Sequence, residues 1–139
     1  MIEQRLREIL AGNATLTLAT ADVAPWVAAA YFAEDGAFVL DLMLEARGRT
    51  LANLRARPAI AVMLQDGNPM SPFAQGEGVA EVLAGTGVAD EVRSRIIRKT
   101  PASAPLVGLP EQYPVRLRIA RWRVTDVPAG WLPARELRA

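Results

Sequence analysis

Ile2, Leu6, Ile9 and Leu10 recur at three- and four-residue spacing opposite Glu3, Arg7 and Glu8. This pattern predicts a short amphipathic helix that Gly12 and Asn13 end. The period then falls to two. In ATLTLATA (14–21) Leu16 and Leu18 alternate with Thr15 and Thr17, the mark of a half-buried strand. Residues 22–25, DVAP, break it. WVAAAYFA (26–33) and AFVLDLML (37–44) read as two more strands. The intervening EDG (34–36) is a hairpin signal, with Gly36 placed where a positive φ is wanted. Helical spacing returns from about residue 48 to 57, where Leu51 and Leu54 lie among Arg47, Arg49, Arg55 and Arg57, and Pro58 closes the run. AIAVMLQD (59–66) is a strand and GNPMSP (67–72) a loop. AQGEGVAEVL (74–83) is a strand whose Gly76 and Gly78 suggest a bulge or a close backbone approach. Val88, Val92, Ile96 and Ile97 place a helix over 88–99, with acids early and bases late as the macrodipole favours. Residues 101–114 read as irregular because of their prolines. VRLRIARWRVTDV (115–127) reads as the final strand, and the last ten residues as a tail.

Six strands joined early by hairpin-length links, with three short helices inserted, predict a mainly β protein: an antiparallel barrel with helices at its rim. At 139 residues the chain has room for one domain. Composition narrows the chemistry. The absence of cysteine and histidine excludes disulfides, Cys or His metal sites, cysteine nucleophiles, Ser-His-Asp triads and His-ligated heme. A net charge of +1 gives no broad field for nucleic acid. The first ten residues mix charges with hydrophobes, unlike a secretion signal, and no apolar run approaches a membrane span. The expectation is a cytoplasmic protein with neither membrane nor nucleic acid as partner.

The ordered set TLTLATAD, PWVAAAYFA, GAFVLDLML, RGRTLANLRARPAIAVML and GEGVAEV, behind an amphipathic helix, resembles the pyridoxamine-phosphate oxidase-like family of flavin-binding split barrels over roughly residues 5–127. The most specific block is Arg49-Thr50, Asn53-Leu54 and Pro58-Ala59. The resemblance implies a six-stranded split barrel working as a homodimer, with flavin mononucleotide (FMN), or alternatively the deazaflavin F420, held in clefts at the interface. It places the phosphate at Arg49 and Thr50 with Arg47 near by and Asn53 as an orienting residue. The flavin ring would lie along main chain near Ala28–Phe32, including Ala30 and Tyr31, and near Asp41 and Leu42. Two positions depart from the family pattern. Thr50 stands where lysine is usual, and Trp26 where histidine is usual.

The residues themselves leave alternatives open. A helix N-terminus with arginines suits a phosphate, yet Arg47 and Arg49 equally suit a solvated rim. Trp26 and Tyr31 could cover a ring or pack an interface, and Phe32 reads as barrel core. Asp41 interrupts an apolar strand and either accepts a hydrogen bond from a ligand or faces solvent. Gln75, Gly76 and Gly78 fit either a partner contact or a plain bulge. Arg116, Arg118, Arg121 and Arg123 form a stripe around Trp122, which reads as edge-strand protection and acid pairing. If FMN binds, the cofactor carries redox chemistry and no side-chain nucleophile is needed. The alternative is a binding module of the same fold without turnover.

Overall fold

The computed structural model describes residues 1–139. In chain order the elements are α1 (Ile2–Gly12), β1 (Thr15–Ala21), β2 (Pro25–Glu34), β3 (Val39–Glu45), α2 (Arg49–Ala56), β4 (Ala59–Leu64), β5 (Phe73–Val82), α3 (Val88–Lys99), a 3-10 turn (Pro101–Ser103), α4 (Ala104–Val107), β6 (Gln112–Asp126) and β7 (Trp131–Arg138). Every strand pairing is antiparallel. The sheet runs β3-β2-β1-β4-β5-β6-β7, and a further β3–β6 pairing closes its first six strands into a barrel. No helix is long and apolar enough to cross a membrane.

Alternation decides what fills the barrel. Leu16 and Leu18, Leu40, Leu42 and Leu44, Ile60, Val62 and Leu64 point inward from three strands and are almost wholly buried, with Phe32 among them. The helix α1 plugs one opening with Leu6, Ile9 and Leu10, and α2 adds Leu51 and Leu54. On β6 the inward positions change parity, from Val115, Leu117 and Ile119 to Trp122 and Val124. Ala120 is the extra residue: Gly78 pairs with Ile119 but Glu77 pairs with Arg121. This bulge turns Trp122 into the core, where its indole N–H donates to the Ala37 carbonyl at 2.7 Å. It also brings the β6 main chain so close that a Cβ on Gly78 would lie 1.9 Å from the Arg118 carbonyl oxygen.

A second, smaller apolar layer lies outside the barrel, where Val92 and Ile96 of α3 and Val107 of α4 cover Ala33 and Met43. Three expectations are corrected here. The last ten residues are not a tail, because they contain β7, which pairs with β6 after that strand has left β3. The stretch 101–114 holds a 3-10 turn, α4 and the start of β6. The strand β6 is therefore neither final nor an edge. Pro133 and the charges of WLPARELR masked β7, and an outermost strand tolerates both.

Candidate functional site

The strands β2 and β3 are joined by only three residue pairs, Phe32↔Leu42, Ala33↔Asp41 and Glu34↔Leu40. Beyond them β2 stays with β1 through Pro25–Tyr31, while Met43–Glu45 follow β6. The barrel wall splits, and the facing edges of both strands have no strand partner there. A cleft of about 240 Å³ occupies the split. Ala28–Tyr31 form one wall and Met43–Glu45 the other; Gly48, Thr50 and Leu51 close one end, and Leu106, Val107 and Gln112 the opposite side. Three successive alanines leave the β2 main chain uncovered toward this space. Edge N–H and C=O groups without a strand partner seek another one.

At the α2 end, the amides of Arg49, Thr50 and Leu51 precede the first intrahelical bond, from Ala52 N–H to the Gly48 carbonyl. The Trp26 indole N–H donates to Thr50 Oγ1 at 3.2 Å, and the Arg49 guanidinium lies 4.2 Å from the centre of the Trp26 ring. Arg49 has no carboxylate partner, so its charge is available to an anion. On the far side Gln112 donates through Nε2 to the Leu106 carbonyl at 2.9 Å. Its Oε1 is buried without a hydrogen-bond partner.

Of the residues expected at the site, Ala30, Tyr31 and Thr50 line the cleft, while Arg49, next to Thr50 in sequence, stacks on Trp26 and is not among the lining residues. Four others are not among the lining residues. Arg47 is ion-paired with Glu111, whose main-chain carbonyl also takes the Ala46 N–H, so this pair ties the β3–α2 turn to the start of β6. Asn53 is buried and donates to Thr20 Oγ1 at 3.1 Å, fastening α2 to β1. Leu42 is core, and its main chain is paired on both sides, with Phe32 and Val115. Met43–Glu45 take the place expected for Asp41 and Leu42. Asp41 faces neither ligand nor solvent. It lies on the outer side of β3, fully buried, between Arg116 (2.9 and 3.0 Å) and Arg95 of α3 (2.6 Å). Burial alone would push its carboxyl up, but the two guanidinium groups outweigh this and hold it below its usual range.

Two of the three remaining arginines of the stripe pair with acids. Arg118 meets Glu81, and Arg121 meets Glu77 and Glu136, while Arg123 has no carboxylate partner. Gln75 and Arg123 border a shallow groove of about 550 Å³ on the outside of the barrel, together with Thr17, Ala19, Val27 and Met63. The cleft residues not named as candidates from sequence are Met43, Leu44, Glu45, Gly48, Leu51, Leu106, Val107 and Gln112. The apolar pair Leu106-Val107 between Pro105 and Pro110 was the available signal.

No family model and no curated protein matches the sequence. Solved structures do match. The conserved hypothetical protein Rv2991 from Mycobacterium tuberculosis is 25% identical, with a TM-score of 0.75 over 91% of this chain and 85% of its own. A putative pyridoxamine 5'-phosphate oxidase from Listeria innocua superposes with a TM-score of 0.74 at 16% identity, over 91% of this chain and 99% of that one. The fold is the pyridoxamine 5'-phosphate oxidase-like split barrel. A heme binding protein from Mycobacterium smegmatis has the same split barrel, with a TM-score of 0.79 and 19% identity over 99% of this chain. The chain spans 58% of that protein's length.

Proposed function

We propose that the protein binds FMN in the cleft between β2 and β3 and serves as a flavin-dependent oxidoreductase. The observation that carries this reading is the split itself: two unpaired strand edges face each other above a helix start that bears an unpaired arginine. A flat heterocycle rimmed with donors and acceptors suits such edges. The terminal phosphate suits Arg49, the Thr50 hydroxyl and the first amides of α2. FMN supplies hydride or electron transfer when bound, and the chain supplies orientation and exclusion of water. F420 shares the fused-ring shape and is the alternative cofactor; a protein that binds without turnover is the alternative role.

A homodimer belongs to the same proposal. The outer faces of β1, β2 and β4 present Thr17, Ala19, Val27, Ala61 and Met63, small or apolar and uncovered by any helix. Val27 is 63% exposed. Since β2 lines both this face and the cleft, a second copy on the face would add a wall to the site.

Heme is a second reading, favoured by the heme binding protein among the fold neighbours. The cleft offers Tyr31, Met43 and Glu45 as the side chains able to ligate iron, in a chain without histidine or cysteine. Visible spectra after incubation with FMN, F420 or hemin, then desalting, separate the readings. A retained flavin spectrum is the expected result; a Soret band alone would replace FMN by heme. Arg49→Ala should weaken FMN binding ten- to a hundredfold, the loss of about 1.5–3 kcal/mol from a charge-assisted bond. Unchanged affinity would remove the phosphate from this end of the cleft.

A further inference from the structure

Trp26 is 38% exposed, so most of its area is covered, and its contacts fix how the ring is set. One ring face holds the Arg49 guanidinium at 4.2 Å, and its N–H reaches Thr50 Oγ1 at 3.2 Å. Thr50 lines the cleft end where a phosphate would arrive, and Arg49 precedes it at the start of α2. A threonine hydroxyl carries one proton and two acceptor lone pairs. With a lone pair filled by the indole, Thr50 keeps its own proton for an acceptor in the cleft that it lines. The stack removes much of the rotamer freedom of an otherwise unanchored arginine, so less entropy is lost when it meets an anion.

We infer that Trp26 is a positioning residue that sets Arg49 and Thr50 to receive a terminal phosphate, and so makes the cleft select FMN over its unphosphorylated counterpart, riboflavin. The inference rests on the flavin reading above. It assigns to one side chain the alignment of a guanidinium and a hydroxyl, a neutral donor being substituted for a second cation.

Titration of the full chain with FMN and with riboflavin, followed by flavin fluorescence, tests it. The wild-type protein should prefer FMN by at least about tenfold. Trp26→Phe keeps a ring beneath Arg49 but removes the indole N–H. It should weaken FMN about tenfold and leave riboflavin within about twofold. In a Thr50→Val background the same change should add nothing. FMN affinity unmoved by Trp26→Phe would overturn the inference and leave the flavin reading standing. Equal wild-type affinity for FMN and riboflavin would overturn the inference while leaving ring binding intact, and no binding of either would overturn both. Should Trp26→Phe fail to fold, the wild-type indole N–H resonance decides: a shift with FMN but not with riboflavin supports the assignment, and an unmoved signal overturns it.

Discussion

Asp41 illustrates what a single residue discloses in sequence. A carboxylate inside AFVLDLML announces that something compensates it, since an unpaired buried charge is not tolerated. Its compensation comes from Arg95 and Arg116, 54 and 75 positions away, and no local spacing contains that information. Asp41→Asn leaves two partly buried guanidinium groups short of their counter-charge. The free energy of unfolding should fall by about 2–4 kcal/mol, measured in denaturant with an unchanged slope. The pH dependence has a definite sign. Because the folded carboxyl titrates below its ordinary value of 3.8, folding is favoured by its ionisation. That contribution is complete above the ordinary value and drains away as pH falls through the lower, folded one. Acid titration of wild type and Asp41→Asn should therefore converge as pH drops below about 4, and a constant gap between the curves would contradict the assignment.

At the scale of elements, periodicity located α1, α2, α3 and most of the strands because each buries one face, and β3, buried on both, stood out as an apolar run. The strand β7 escaped because only Trp131 and Leu137 of its side chains turn toward the core, and Pro133 argues against a strand. The cleft was half legible for a related reason: Thr50 and the β2 alanines sit in a block with recognisable order, whereas Leu106, Val107 and Gln112 arrive from a proline-rich stretch without a period. The glycines of β5 were legible as a bulge or a close approach, and both occur. Gly78→Ala forces a methyl against the Arg118 carbonyl and undoes the register shift that turns Trp122 inward. It should destabilise the barrel by about 3 kcal/mol and shift the near-ultraviolet signal of Trp122. An unperturbed spectrum with wild-type stability would mean that the bulge relocates at no cost.

For the whole molecule, the order of hairpins and helical insertions sufficed to anticipate the barrel, because antiparallel neighbours joined by short links leave few closed arrangements. It could not show the surface that the barrel leaves bare. The face built from Thr17, Ala19, Val27, Ala61 and Met63 has the character of an interface core, small or apolar at its centre with Gln75, Glu77 and Arg123 at its border. Sedimentation should give about twice the 15.0 kDa chain mass, and Val27→Glu should shift the population to monomer and weaken FMN binding with it. A wild-type monomer at micromolar concentration would reject the dimer.

The split between β2 and β3 also bears on how such a protein ages in evolution. A ligand gripped by strand edges is recognised through peptide groups that every residue except proline carries, so the side chains at Ala28 and Ala29 are free to drift without loss of the grip, while Ala30 is held by the core. Alanine scanning of that wall would be silent by construction. Proline scanning, which deletes one N–H at a time, is the perturbation that would map the ligand's outline onto the strand.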